Sequence, residues 1–131
     1  MKGYVIDKSH CVSALAFADG VILLATAKVE AQNLLQHTEV YFNKLGMHIA
    51  AEKCASFEIR PMKDSWYIAN LDLRLTNGDE ITYSAAGSSI RYLGGHVSPW
   101  SGLHYKDIVD ELASTLERCR SAQLKPQQNY L

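Results

Sequence analysis

The sequence has little of what marks a secreted, zinc-binding or membrane protein. Its 131 residues include three cysteines, Cys11, Cys54 and Cys119, and no two of them stand at the C-x-x-C spacing of a zinc site. An odd number of widely separated cysteines predicts reduced, mostly buried thiols and an intracellular protein. The longest uninterrupted apolar run, residues 21–25, is too short to cross a bilayer, and residues 1–9 lack the apolar segment of a secretory signal. We therefore expect no membrane partner.

An excess of charge of either sign is also missing. The formal net charge is -1 and the pI is near 6.5. A free-standing duplex-binding module is usually clearly basic, so composition gives no support to an independent nucleic-acid binder. Only three residues are proline, while 47% are hydrophobic and 21% are charged, which excludes a disordered chain. The length suits one compact domain.

Two apolar runs, residues 13–18 and 21–25, flank the pair Asp19-Gly20. An Asp-Gly pair between apolar runs predicts a β-hairpin, because both central residues of a type I′ turn take positive φ. Neither run alternates cleanly in polarity, so we expect both strands to be buried on both faces. Taken alone, the pair is explained as a good hairpin turn and nothing more.

Helical periodicity predicts two helices. The first covers residues 28–45, with Thr26 as a cap and Gly46 as the glycine that ends it. Its apolar stripe consists of Ala31, Leu34, Leu35, Tyr41, Phe42 and Leu45. The second helix covers residues 103–120. Its stripe consists of Tyr105, Ile108, Val109, Leu112, Leu116 and Cys119.

Further short strands are predicted at residues 47–49, 54–59, 72–75, 80–83 and 90–93. Pro61 is expected to end the unit formed by the first two. The third and fourth form a second hairpin with one solvated face, because their residues alternate in polarity. The order of elements predicts an α+β fold with mainly antiparallel pairing.

Residues 14–25, Ala-Leu-Ala-Phe-Ala-Asp-Gly-Val-Ile-Leu-Leu-Ala, resemble the hairpin of reverse transcriptases, where an aromatic-x-Asp-Asp motif lies at the turn. The residues around the turn are similar to those of the non-LTR (LINE-like) retrotransposon branch. Further segments follow in that family's order: Leu45-Gly46-Met47 with Lys53-Cys54, then Arg91-Tyr92-Leu93-Gly94, which resembles a primer-grip strand, and then residues 124–128, which resemble a thumb segment of site-specific insect-type elements. The resemblance spans about residues 3 to 131.

This resemblance implies a partial reverse-transcriptase palm over residues 1–100, with antiparallel hairpins packed on a helix, and the first thumb helix over residues 101–131. It implies a nucleotidyltransferase that extends a DNA primer on an RNA template with two Mg²⁺ ions. An earlier palm strand that carries another aspartate, and the helix after it, are expected to be missing. A nuclear location follows if the family function holds.

The resemblance also implies site residues. Asp19 occupies the first carboxylate position and is the metal ligand, while Gly20 occupies the second, where the family has another aspartate. Lys53 matches the lysine that is placed to protonate the pyrophosphate leaving group; the alternative is a solvated loop lysine. The primer-grip match consists of Tyr92, Leu93, Gly94 and Gly95. The alternative for that segment is a strand that ends in a flexible turn.

Chemistry limits what such a site can do. Hard cations need several carboxylate oxygens, so one carboxylate on an exposed turn does not hold two of them tightly, and we expect this chain alone to be inactive. The alternative function is a non-catalytic nucleic-acid-binding or protein-interaction domain derived from the same fold. Trp66 and Trp100 are candidates for stacking on bases or for packing. His96 and His104 are weak metal candidates, because no cysteine or carboxylate cluster accompanies them.

Overall fold

The structure of the protein, a computed structural model, describes residues 3–104 and 106–122. Two α-helices and one short 3-10 helix occur within these ranges: α1 is Lys28–Lys44, α2 is Lys106–Ser121, and the 3-10 helix is Ala51–Lys53. Neither α-helix is long and apolar enough to cross a membrane. The thumb-like segment at residues 124–128 lies outside the described residues, as does Tyr105 of the predicted helical stripe.

The described part of the chain also contains short β-strands. They are β1 Tyr4–Val5, β2 Cys11–Val12, β3 Ala14–Phe17, β4 Gly20–Leu23, β5 Ala55–Ser56, β6 Glu58–Met62, β7 Ser65–Ala69, β8 Thr82–Tyr83, β9 Ile90–Tyr92, β10 Gly95–Ser98 and β11 Gly102–His104. Antiparallel pairs join β1 to β2, β3 to β4 and β6 to β7, and a three-stranded antiparallel sheet has the order β11-β10-β9. The pair β5-β8 is parallel. Whether these pieces form part of a polymerase palm stays a prediction.

Helix α1 begins and ends where its local sequence directs. Its N-cap is Ala27, and the backbone amide and hydroxyl of Thr26 both donate to Glu30 Oε2 at 2.9 Å. A glutamate of the first turn that reaches back in this way satisfies polar groups ahead of the helix. At the other end Gly46 takes φ +74°, the left-handed conformation that terminates many helices. The predicted helix at residues 28–45 is therefore confirmed, although Thr26 is not the capping residue.

The hydrophobic core lies between α1, the 3-10 helix and residues 71–81. Its buried members are Leu35, Ala51, Leu71, Leu73, Leu75 and Ile81. Leu34 is buried as well, but Tyr41 and Leu45 of the predicted stripe are exposed. The stripe is therefore correct in its middle and wrong toward its end, where nothing in the described part of the chain covers the helix.

The predicted hairpin at residues 72–83 closes this core. The backbone amide of Ile81 donates to Leu73 O at 2.9 Å, and that of Leu75 donates to Asp79 O at 2.9 Å. Arg74 pairs with Glu80 across an isolated bridge, and both are exposed while Leu73, Leu75 and Ile81 point into the core. The alternation of one buried and one solvated face is confirmed, but the two predicted strands are not: residues 72–75 form no strand, and β8 pairs in parallel with β5.

Polar contacts fasten α1 to this hairpin. Gln32 Nε2 donates to Arg74 O at 2.7 Å, and the Arg74 amide donates back to Gln32 Oε1 at 3.1 Å. Glu39, buried on α1, accepts hydrogen bonds from the Thr76 amide at 3.0 Å and from the Thr76 hydroxyl at 2.7 Å. A buried carboxylate needs such partners. Its position was not predicted, because the local pattern of the sequence does not reveal a partner so far along the chain.

Several predicted boundaries are wrong. Residues 47–49 are described but are not a strand. Pro61 does not end a strand: it lies within β6, opposite Trp66 of β7, in a hairpin that the sequence pattern did not predict. Proline is tolerated there because a two-stranded ribbon has free outer edges. Leu103 belongs to β11 and not to the second helix, which begins at Lys106.

Burial of the cysteines also departs from expectation. All three thiols are free, but Cys11 and Cys119 are exposed and only Cys54 is partly buried. The prediction of mostly buried thiols is therefore wrong. On α2, the stripe residues Val109, Leu112 and Leu116 are exposed as well.

Candidate catalytic hairpin and its surroundings

The hairpin that resembles a polymerase motif is present, but its turn is shifted by one residue. Strand β3 pairs with β4 so that Phe17 lies opposite Gly20, which leaves Ala18 and Asp19 as the two turn residues. Ala18 takes φ +52°, whereas Gly20 does not have positive φ. The prediction of a type I′ turn centred on Asp19-Gly20 is therefore wrong. Asp19 is exposed at the tip, and Gly20 is the first residue of β4.

Close packing gives the reason for a small residue at position 20. A Cβ atom at Gly20 would lie 3.1 Å from Cε2 of Tyr92 and 3.4 Å from the carbonyl oxygen of Phe17. The ring of Tyr92 thus lies against the backbone at the start of β4. Glycine in a strand often marks such an approach. The hairpin and the primer-grip-like segment, which the sequence places far apart, meet at this contact.

The strands of the hairpin are not buried on both faces. Phe17 is 66% exposed and Leu15 is 49% exposed, while β4 is only partly covered. The two strands form a sheet of their own, and Leu23 reaches the edge of the core cluster. The prediction of double-sided burial is therefore wrong for these described strands.

The segment from Tyr92 to Gly95 is a tight turn between β9 and β10. Tyr92 pairs with Gly95, and the two residues between them, Leu93 and Gly94, have φ of +49° and +80°. Positive φ at both central positions is the signature of a type I′ turn. Gly95 is buried, and a Cβ there would lie 3.2 Å from Cδ1 of Leu103. One end of the segment thus packs on the hairpin, and the other packs on β11.

Lys53 lies at the opposite end of β9 from this contact. It is exposed at the end of the 3-10 helix, and it lines an open cleft of about 260 Å³ together with Ser88, Ser89 and Ile90. Because Ile90 begins β9 and Tyr92 ends it, this strand runs from the cleft of Lys53 to the hairpin. No ion pair joins Lys53 to Asp19 among the residues that the structure describes.

Cys54 also lines this cleft, and its thiol donates to the carbonyl oxygen of Ala50 at 3.3 Å. Burial, with a smaller contribution from the negative charge of Glu52, raises the pKa of Cys54 above its usual value. The thiol therefore stays neutral at physiological pH, which does not suit it to act as a nucleophile or a metal ligand.

The carboxylates of the described residues are not gathered into a two-metal site. No group of three or more His, Cys, Asp or Glu side chains lies at metal-binding distance within residues 3–104 and 106–122. Asp7 is engaged elsewhere: the backbone amide of Ser9, and then the imidazole of His10, lower the pKa of this carboxyl group. Asp72 pairs with Arg74 at 3.3 Å. Asp19 alone does not fit the oxygen-rich environment that two Mg²⁺ ions need.

Two arrangements near this site were not foreseen. Trp66 and Trp100 contact each other, with ring centroids 4.5 Å apart and planes inclined by 31°. His96 lies directly opposite His104 on β11, and Arg91 of β9 lies opposite His96 on its other side. The tryptophan contact joins distant segments, whereas the row forms through the consecutive β9-β10 and β10-β11 pairings, and strands β10 and β11 were not predicted.

Comparisons with known proteins bear on the origin of the chain. No family model matches it, and no solved structure matches it significantly. The retrovirus-related Pol polyprotein from the type-1 retrotransposable element R2 of Popillia japonica is 29% identical over 126 residues, which cover 91% of this chain and 19% of that polyprotein. The chain is retrotransposon-related.

This retrotransposon-related chain spans about a fifth of the length of the polyprotein that it matches. The expected kinship with non-LTR retrotransposons is thereby confirmed at the level of the element. The more specific prediction, a reverse-transcriptase domain with the site residues named above, stays a prediction.

Proposed function

We propose that this chain is a segment of a retrotransposon reverse transcriptase, and that it does not catalyse nucleotidyl transfer by itself. The similarity to an R2 Pol polyprotein over 91% of the chain supports the first part. The hairpin tip carries the second part: Asp19 is its single carboxylate, and Gly20, against which the Tyr92 ring packs, supplies no second one.

In this proposal Asp19, Lys53 and residues 92–95 correspond to parts of a polymerase site, but together they do not form a complete one. Asp19 is the remaining carboxylate at the tip of the hairpin, and Lys53 lies one strand away at the cleft where a leaving pyrophosphate would be protonated. The turn from Tyr92 to Gly95 is the part that would approach the primer. Residues 1–100 are the palm portion and residues 101–131 the start of the thumb.

Of the ligands of a polymerase site, the divalent metal ions are those that this chain is least suited to bind. In the family, Mg²⁺ would neutralise the charge that develops on the phosphates. Here a single exposed carboxylate supplies too few oxygens, so we expect no tight Mg²⁺ binding by this chain. The RNA template and DNA primer remain the proposed partners of the complete enzyme, with the nucleus as its proposed location.

A primer-extension assay tests the lack of catalysis. The purified chain is incubated with a labelled DNA primer annealed to an RNA template, with all four deoxynucleotides, and with Mg²⁺ or Mn²⁺ in parallel. We expect no extension from the native chain or from Gly20→Asp, because one restored carboxylate still leaves the site short of ligands. Template-dependent incorporation by the native chain would overturn this part of the proposal.

A chimera tests the descent from a polymerase. The 126-residue matching segment of the R2 Pol polyprotein is replaced by this chain, once with Gly20 and once with Gly20→Asp. We expect extension from the Gly20→Asp chimera and none from the Gly20 chimera. If both chimeras are folded but neither extends a primer, even with the Tyr92 ring removed by Tyr92→Ala, the segment is not a functional part of a polymerase palm.

A further inference from the structure

The only two tryptophans of the chain form an exposed pair. Trp66 is 37% exposed and Trp100 is 55% exposed, although their rings lie 4.5 Å apart. Trp66 belongs to β7, and Trp100 lies in the turn between β10 and β11, so the contact joins the β6-β7 hairpin to the three-stranded sheet. A pair that served only to pack these elements together would be expected to be more deeply covered.

A basic row lies on the three-stranded sheet beside this pair. Arg91, His96 and His104 lie directly opposite one another on β9, β10 and β11, so their side chains share one face. All three are exposed. With neighbouring strands about 4.8 Å apart, the row is roughly 10 Å long. The opposite face carries Ile90, Val97 and Leu103, which are apolar.

The pair and the row are neighbours. The hydroxyl of Ser101, the residue after Trp100, lies 2.7 Å from Nε2 of His104. At the other side of the row, the hydroxyl of Ser89 lies 3.1 Å from Nδ1 of His96. The turn that carries Trp100 is thus tied through Ser101 to His104, at the end of the row opposite Arg91.

Positive charge is available in the row but not on the β6-β7 hairpin. Arg91 forms no salt bridge within the part of the chain that the structure describes. On the hairpin, Arg60 is held by Glu58 at 2.8 Å, and Lys63 is followed directly by Asp64. The hairpin charges thus cancel, and Arg91 is the cation that can meet an anionic ligand.

We propose that this surface, formed by Trp66, Trp100, Arg91, His96 and His104, binds single-stranded nucleic acid. Unpaired bases stack against the indole pair, and the phosphates next to them contact Arg91 and the two imidazoles. Exposed aromatic rings beside a short basic track are the combination that recognises single strands without reading their sequence. Base pairing hides the faces of the bases, so a duplex does not use the indoles.

The surface is separate from the Gly20-Tyr92 contact, and its binding needs neither a metal ion nor a nucleotide. It goes beyond the proposed function, because a chain that extends no primer can still bind a strand here. Failure of binding would therefore leave the polymerase proposal standing, and failure of the chimera would leave this one standing.

Tryptophan fluorescence provides the direct test on the intact chain. Because Trp66 and Trp100 are the only tryptophans, all indole emission reports on this surface. We expect a short oligothymidylate to quench the emission in a saturable way, and we expect tripolyphosphate, which lacks bases, and the matching duplex to quench it weakly. The absence of quenching up to about 0.1 mM strand, the weak end of non-specific binding, would overturn the proposal.

Variants then separate the two contributions, with binding followed by anisotropy of a labelled oligothymidylate. Trp100→Ala is expected to weaken binding about fivefold or more, while Trp100→Phe, which keeps a ring, loses less. Arg91→Ala is expected to reduce the slope of log K against log salt by about 0.7. The controls are Tyr41→Ala and Lys44→Ala, exposed residues of α1, which should bind like the native chain.

Each outcome decides the question. Folding of every variant is checked by circular dichroism before binding is measured. If folded Trp100→Ala and Arg91→Ala bind as tightly as the two α1 controls, the surface is elsewhere and the proposal is wrong. Equal quenching by tripolyphosphate and by oligothymidylate would exclude base stacking and would also overturn it.

Discussion

Two regions of the molecule differ in how completely their apolar side chains are buried and their buried polar groups are hydrogen-bonded. The core region, α1 with the 3-10 helix and residues 71–81, leaves Val29, Val40 and Tyr41 exposed, but it buries its leucines and Ile81, and Thr76 satisfies Glu39. The hairpin region, β3-β4 with β9-β11 and α2, leaves Phe17, Leu112 and Leu116 exposed. The region that resembles a polymerase site is thus the one that is less complete by itself.

The largest expected difference between the two regions concerns apolar truncation. Ile81 is 3% exposed, so Ile81→Ala removes buried atoms and should cost about 2–5 kcal/mol of unfolding free energy. Phe17→Ala, at a mostly exposed position of the hairpin region, should cost less than about 1 kcal/mol. Urea unfolding of both variants measures the contrast, and equal losses would contradict it.

A smaller effect is expected at the polar contact within the core region. Glu39→Ala leaves the Thr76 amide and hydroxyl without their acceptor and should cost about 1–3 kcal/mol. Glu117→Ala, an exposed glutamate 3.8 Å from Arg120 on α2, serves as the matched control and should change stability by about 0.5 kcal/mol or less. If the two variants unfold at the same urea concentration, the Glu39 contact does not fasten α1 to the hairpin.

A substitution in the turn of the hairpin region is expected to increase stability instead of lowering it. Ala18 has φ +52°, so Ala18→Gly should stabilise the chain by about 0.5–1 kcal/mol through relief of the left-handed conformation. Ala16→Gly, in β3, should destabilise it by about the same amount. Thermal unfolding compares the two. Destabilisation by both would show that Ala18 is not in the turn and would restore the Asp19-Gly20 turn.

The smallest expected difference between the two regions concerns the reactivity of their cysteines. Cys54 adjoins the core, and burial raises its pKa, while Cys119 of α2 is exposed. In the folded chain the Cys54 thiol stays neutral to a higher pH than in the unfolded chain. The stability that this neutral form contributes is therefore fully present below the ordinary pKa of 9.0, and it is lost as the pH rises through the pKa of the folded state. Iodoacetamide at mildly alkaline pH should therefore modify Cys119 before Cys54. Identical rates in the folded chain would contradict the assignment, and denaturant should make the rates equal.

Local patterns predicted the core region well. The alternation around residues 76–79 depends on neighbours a few positions away and was found, while the apolar period of α1 correctly predicted the helix and the burial of Leu34 and Leu35 but not the exposure of Tyr41. Pro61 misled the prediction because its meaning depends on whether a strand has a free edge, which only the pairing with Trp66 determines.

The candidate site was predicted residue by residue but not as an arrangement. Asp19, Lys53 and Tyr92 were each singled out, yet their relation through β9 depends on packing between distant segments. The sequence pattern explained Gly20 by the geometry of a turn, whereas in the structure the Tyr92 ring packs against it. The Trp66-Trp100 contact likewise depends on packing between distant segments, whereas the Arg91-His96-His104 row follows from two consecutive strand pairings that were not predicted.

Amide hydrogen exchange tests the central comparison most directly, because it reports both regions in one sample. We predict that the Ile81 amide, bonded to Leu73 O at 2.9 Å, exchanges only with global unfolding. The amides of β3 and β4 near Asp19 should exchange far faster, through local opening. Equal protection of Ile81 and of the strands beside Asp19 would contradict the account, since the hairpin region would then be as complete as the core region.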